Sequence, residues 1–191
     1  MSSTATFELR YSPKGGCSEK LVEIIDGATS TIRAMVYGAT LEEVSDALLR
    51  AGKDVEKGGR GVDVKVILDR RQTRREQAKF YDKLERARED GKIEVRLYTP
   101  GGRSCMHHKV GIFDGKVVTT GSFNWTKNAQ YSNNENLVAI ENRDLAEAYT
   151  RIFDELWKIA SPEGNYRSLR RFGRFVLSFL PVSGRYYPAN Q

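Results

Sequence analysis

The chain has 191 residues, 39% of them apolar, and carries 31 lysines and arginines against 25 aspartates and glutamates, a net charge of +6. That length holds one sizeable core and is short for two. Two cysteines exclude a disulfide framework, and the lack of a long uninterrupted apolar run excludes a membrane-spanning helix.

In chain order, a first strand over Phe7–Tyr11 leads through a Pro-Gly turn into an amphipathic helix over Ser18–Ala28, with Leu21, Ile24, Ile25 and Ala28 on one face. Thr31–Tyr37 reads as a buried strand, and Leu41–Ala51 as a helix capped by Thr40. Lys53–Arg60 is a charged, glycine-rich loop before a strand over Val62–Leu68. Gln72–Glu89 is a highly charged helix stopped by Gly91, and Ile93–Tyr98 is the next strand. The runs Val110–Phe113 and Lys116–Thr119 flank Asp114-Gly115, a strong hairpin signal. A strand over Leu137–Ile140 and an amphipathic helix over Leu145–Ile159 follow. This alternation predicts a single α/β domain over residues 1–160, with a mixed, mostly parallel sheet flanked by helices on both faces. Residues 161–191 form a basic, aromatic extension.

The segment His107–Asn124, HHKVGIFDGKVVTTGSFN, carries the chemistry. It holds His-x-Lys at 107 and 109, then Asp114, then Gly-Ser-x-Asn ending at Asn124. Splitting a phosphodiester needs a nucleophile active near neutral pH, a proton donor for the leaving oxygen, and cationic or hydrogen-bonding groups around the other phosphate oxygens. His107, Lys109, Ser122 and Asn124 supply those types. Residues two apart on a strand share a face, so His107 and Lys109 point together while His108 points away; this favours His107 as the reactive histidine. Two adjacent histidines on a strand cannot readily share a metal, the cysteines are not at ligand spacing, and no acidic cluster announces a magnesium site. We therefore expect metal-independent chemistry with no cofactor.

This pattern resembles the HKD motif of the phospholipase D superfamily, and the chain is most similar to its small single-motif members, the bacterial endonucleases of the Nuc type. Tyr11-Ser12-Pro13 with Gly15-Gly16, the run Val62–Asp69 and Ser132–Asn136 extend the likeness across about residues 7–160. The resemblance implies a phospholipase D-like fold. It implies that His107 attacks phosphorus to form a phosphohistidine, that Lys109, Ser122 and Asn124 line the phosphate pocket, and that Glu135 hydrogen-bonds a histidine ring and fixes its tautomer. Asp114 belongs to the motif, but an aspartate forming a turn before glycine would look the same, so its role reads as structural. The family uses two motifs per site, and this chain has one. The resemblance therefore implies a homodimer with two motifs meeting at a two-fold axis.

The net charge and a pI near 9.3 point to a polyanionic partner, DNA or RNA. Arg70, Arg71, Arg74 and Arg75 open the charged helix and are candidate nucleic-acid contacts, against the plainer reading of a solvated helix face. In the extension, Arg170, Arg171 and Arg174 interleave with aromatics; such a segment binds backbone phosphates and stacks bases, packs on the domain, or lies at a membrane surface. Phospholipid is the alternative substrate, and a non-catalytic nucleic-acid-binding module the third reading. Met1–Thr6 is polar and shows no leader, which predicts a cytoplasmic protein unless a leader has been removed.

Overall fold

The structure, a computed structural model, describes residues 5–73 and 78–161. Its elements run β1 (Thr6–Ser12), α1 (Cys17–Gly27), β2 (Thr31–Val36), α2 (Glu42–Gly52), β3 (Asp63–Asp69), α3 (Ala78–Arg86), β4 (Ile93–Tyr98), β5 (Lys109–Phe113), β6 (Val117–Gly121), α4 (Lys127–Tyr131), β7 (Glu135–Glu141) and α5 (Arg143–Ile159). The strands form one sheet in the order β1-β7-β6-β5-β2-β3-β4.

The sheet is mixed, as the sequence predicts, but it is not mostly parallel. Only β2–β3 and β3–β4 are parallel, while β1–β7, β7–β6, β6–β5 and β5–β2 are antiparallel. The cause is the chemistry of the connections. Asp114 and Gly115 have φ of 52° and 60°, the left-handed pair of a tight primed turn, and so short a link joins only antiparallel strands. The parallel half is where helices α2 and α3 make the crossovers.

Period-two alternation sends side chains to two apolar layers. Ile32, Ala34 and Val36 of β2 join Val64, Val66 and Leu68 of β3 beneath α1, α2 and α3. Met35, Ile67, Val110, Ile112 and Val118 face the other way and pack under Ala146 and Phe153 of α5. Helix α5 begins earlier than Leu145 because Asn142 caps it, its side chain accepting from the Leu145 N–H at 2.8 Å, a device worth about 1 kcal/mol.

Two local expectations need correction, and one element was missed. Thr40 does not cap α2, whose N-cap is Leu41; the Thr40 hydroxyl accepts instead from the Lys127 N–H at 3.2 Å, tying the β2–α2 loop to α4. The charged helix does not run unbroken from Gln72 to Glu89: Arg71–Thr73 form turns, the described α-helix is Ala78–Arg86, and a 3-10 turn over Ala87–Asp90 follows it. Buried Asp69 explains the first break, because its carboxylate accepts from the N–H groups of Arg71 and Gln72 and holds them in a turn. The short α4 was not foreseen at all.

Candidate active site

His107, Lys109, Ser122, Asn124 and Glu135 gather at one end of the sheet, and the β2–β5 junction explains how. Strand β2 has β3 parallel on one side and β5 antiparallel on the other. The C-terminal ends of β2 and β3 therefore lie beside the N-terminal end of β5, just where His107 precedes the strand. The ladder continues one step beyond β2, with the Tyr37 N–H donating to the His108 carbonyl at 2.8 Å. On the other flank, extending the β5–β6 register beyond Gly111↔Thr119 sets Lys109 across from Gly121, and β6–β7 pairing brings Glu135 to the same end.

His107 and Lys109 share a face as their spacing requires. The Lys109 ammonium donates to the His107 carbonyl at 2.9 Å and lies 3.2 Å from Nδ1 of its ring. His107 is solvent-exposed, whereas Lys109 is only 7% exposed. Burial lowers the Lys109 pKa from the usual lysine range, and the charges of Cys105 and Glu135 work against that fall. His108 is exposed, yet partial desolvation lowers its pKa, with the charges of Lys109 and His107 adding to the effect.

Ser122 is exposed just beyond β6, its hydroxyl accepting from the Asn136 N–H at 3.1 Å. Gly121 allows this: its φ is 146°, and a Cβ there would stand 2.2 Å from the Asn136 carbonyl oxygen. Asn124 packs against Gly38 of the β2–α2 loop, which Trp125 stitches in place by accepting from the Thr40 and Leu41 N–H groups. Its Oδ1 is buried and has no hydrogen-bond partner among the described residues. A buried amide oxygen without a partner is the kind of group a ligand donor satisfies.

Glu135 accepts from Asn133 Nδ2 at 3.0 Å, so its described partner is an amide and not a histidine ring. Asp114 lies at the opposite end of β5 from His107. Its carboxylate accepts from the N–H groups of Thr29, Ser30 and Thr31 and from the Thr29 and Ser30 hydroxyls, at 2.8–3.1 Å. It clamps the hairpin to the start of β2.

Arg70 and Arg71 follow β3 at the site end. The Arg71 guanidinium donates to the Gly102 carbonyl, and the Arg70 N–H to the Tyr98 carbonyl. Arg74, Arg75, Arg170, Arg171 and Arg174 lie outside the described residues. A groove of about 580 Å³ begins at Thr126, two residues beyond Asn124, and is lined by Lys79, Lys83 and Lys127. Two of these lysines are matched by acids, Lys83 with Asp46 at 2.6 Å and Lys127 with Glu42 at 3.9 Å. Among the described residues no three histidine, cysteine or carboxylate side chains converge as metal ligands, and no helix is long and apolar enough to cross a membrane.

Sequence reasoning missed Tyr37, Gln72 and Asp69. The Tyr37 ring lies 4.5 Å from the His107 imidazole, the Gln72 amide donates to its hydroxyl at 2.6 Å, and fully buried Asp69 accepts from the Met106 N–H at 2.9 Å and the Thr99 hydroxyl at 3.0 Å. Asp69 ends β3 and Tyr37 follows β2, and a polar residue at a strand end is by itself a weak signal; Gln72 read as part of the charged helix.

Fold and site together define a mixed-sheet α/β protein with a paired histidine and lysine at its antiparallel junction. The family model described as cardiolipin synthase, PLD-like domain, matches residues 21–157, and the chain belongs to this phospholipase D-like family. It is 37% identical over 139 residues to the phospholipase D of Rickettsia prowazekii, covering 73% of this chain and 62% of that protein. It is 32% identical over 147 residues to the mitochondrial cardiolipin hydrolase of Chlamydomonas reinhardtii, covering 77% and 60%. The chain thus spans about three fifths of the length of these curated relatives. Among solved structures, the phospholipase D family member Nuc from Salmonella typhimurium matches with a TM-score of 0.71 and 31% identity, over 82% of this chain and 97% of that one. NucT from Helicobacter pylori shares the fold, with a TM-score of 0.68, 20% identity and coverage of 83% and 99%.

Proposed function

We propose that this protein is a metal-independent phosphodiesterase that cleaves DNA or RNA through a covalent phosphohistidine, with a site shared between two copies of the chain. The observation that carries the reading is the exposed His107 imidazole beside the Lys109 ammonium, on one face at one sheet end with Ser122 and Asn124. In the reaction, a His107 ring nitrogen bonds to phosphorus as the bond from phosphorus to the leaving oxygen breaks; a second histidine protonates that oxygen. Water then attacks the phosphohistidine, releases the phosphate monoester and restores the imidazole.

The tautomer matters here. An ammonium only donates, so a neutral His107 whose Nδ1 accepts from Lys109 carries its proton on Nε2. Attack from Nε2 requires that proton to sit on Nδ1, held by an acceptor, and Glu135 is the carboxylate proposed for that task. The second histidine comes from a second copy. Supporting such a copy, Phe7, Leu9 and Tyr11 line one face of edge strand β1 at 73%, 57% and 63% exposure, an apolar strip of the kind that marks an association surface. Sedimentation of the full chain should show a dimer, and Leu9→Glu should yield an inactive monomer; an active monomer would end the shared-site reading.

The net charge of +6 and the match over nearly all of Nuc favour nucleic acid. The names of the curated relatives favour phospholipid as the second reading. The deciding experiment is cleavage of single- and double-stranded DNA and RNA, and of cardiolipin vesicles, in excess chelator, with His107→Ala as the blank. Cleavage of nucleic acid by the wild type alone is the expected result; cleavage of the vesicles alone would move the assignment to lipid.

A further inference from the structure

The reading of His107 as the nucleophile leaves open what holds an exposed imidazole in one orientation. Lys109 touches only one edge of it. The remaining wall is Tyr37, one residue beyond the end of β2, with its ring centroid 4.5 Å from that of His107 and its plane tilted by 50°. The same ring lies 4.9 Å from the Lys109 ammonium, within the range of a cation–π contact. A single aromatic side chain thus touches both members of the motif.

Tyr37 is itself fixed from two directions. Its backbone N–H is committed to the His108 carbonyl at 2.8 Å, so its Cα moves with the strand that carries the site. Its hydroxyl accepts from Gln72 Nε2 at 2.6 Å. Gln72 in turn belongs to the turn organised by Asp69, whose side chain accepts from the Arg71 N–H at 2.9 Å and the Gln72 N–H at 3.4 Å. The other oxygen of that carboxylate accepts from the Met106 N–H at 2.9 Å, immediately before His107. Two arms therefore leave one buried carboxylate. One reaches the His107 backbone through Met106, and the other reaches its ring through Gln72 and Tyr37.

We propose that Tyr37 is a positioning residue for the His107–Lys109 pair, and that Gln72, seated by Asp69, holds the Tyr37 ring against it. The proposal rests on the nuclease-type reading only in taking His107 as the nucleophile. An exposed imidazole rotates freely about two side-chain torsions, and covalent attack uses one narrow set of them. A ring on one side and an ammonium on the other restrict that rotation before substrate arrives. The aromatic face also stands ready to stabilise the positive charge that spreads over the imidazole as it bonds to phosphorus.

The test uses the full-length chain and the variants Tyr37→Phe, Tyr37→Leu and Gln72→Ala, with an oligonucleotide and bis(p-nitrophenyl) phosphate as substrates. Tyr37→Leu should lower kcat on the order of 100-fold on both substrates while changing KM by less than about 3-fold, as expected when a pre-organised reacting group is released. Tyr37→Phe keeps the ring and should recover all but about 3- to 10-fold. The double variant Tyr37→Phe/Gln72→Ala should be no worse than the poorer single change, because both remove the same bond. A second readout does not need turnover. With only two histidines in the chain, ¹³C-histidine NMR resolves His107, whose ring should pass from one rotamer to averaging in folded Tyr37→Leu. Positioning is overturned if Tyr37→Leu stays within 3-fold in kcat, if Tyr37→Phe falls as far as Tyr37→Leu, or if the His107 ring keeps a single rotamer. An active His107→Ala would defeat the nucleophile assignment separately, whatever Tyr37 does.

Discussion

Replacing His107 with alanine leaves a folded protein whose turnover falls on the order of 10⁴- to 10⁶-fold, the scale seen when a covalent nucleophile is deleted. The fold should tolerate the change, because the His107 ring is exposed, and surface substitutions of this sort fall within about 0.5 kcal/mol. Substrate binding should survive as well. Lys109, Ser122 and Asn124 are untouched, so affinity for uncleaved oligonucleotide should stay within a few-fold of the wild type. Because a shared site takes one His107 from each copy, the change removes both the nucleophile and the proton donor for the leaving oxygen, while Lys109 still offers its charge. Rapid-quench kinetics check this directly, since the wild type should accumulate an acid-labile phosphoprotein and His107→Ala none. An alanine variant holding more than about 1% of wild-type turnover would remove His107 from the mechanism.

Asp114→Ala should do the opposite, costing stability while sparing the chemistry of whatever remains folded. The carboxylate collects three N–H and two hydroxyl donors from Thr29–Thr31, and its loss leaves those donors without their partner and frees the hairpin from β2. A cost of about 2 kcal/mol is expected, since most of the cluster lies near solvent. Burial works against ionisation of Asp114, but the donors of Thr31, Ser30 and Thr29 outweigh it and hold the carboxyl far below the usual aspartate range. A folded-state pKa below the unfolded one means stability that is complete above the unfolded value, near 4, and is lost as the pH falls toward the folded value. Urea denaturation between pH 6 and pH 3 should therefore show the wild type weakening more steeply than Asp114→Asn, which has no charge to lose there. Parallel slopes would contradict the clamp, and full-length folded Asp114→Ala without activity would give this residue a chemical role.

The motif was legible because its physics is local. Two-residue spacing sets His107 beside Lys109, and Asp114-Gly115 dictates the turn, so short-range rules suffice for the β5–β6 hairpin. Strand positions were readable from apolar alternation, and the ends shifted by a residue or two where a cap such as Asn142 decided them. Strand direction was less legible: alternating helices suggested a mostly parallel sheet around the hairpin, whereas four of the six strand pairings are antiparallel. The supporting residues were the least legible. Tyr37, Asp69 and Gln72 come from β2, β3 and the following turn, and only tertiary pairing brings them to His107. Glu135 was singled out by resemblance, and its described bond to Asn133 was not foreseeable from spacing.

The β2–β5 seam has a consequence for how the protein comes into being. Everything from β1 to β4 is synthesised first and can assemble its parallel layer with α1, α2 and α3, yet that portion contains no histidine at all. The His107–Lys109 pair arrives with β5, which must thread back beside β2 across a long sequence separation, the kind of contact whose closure is slow. Under the proposed chemistry, the pair is set in place only when the last strands close onto the first, and the meeting of two such closed chains is the later step that completes the site.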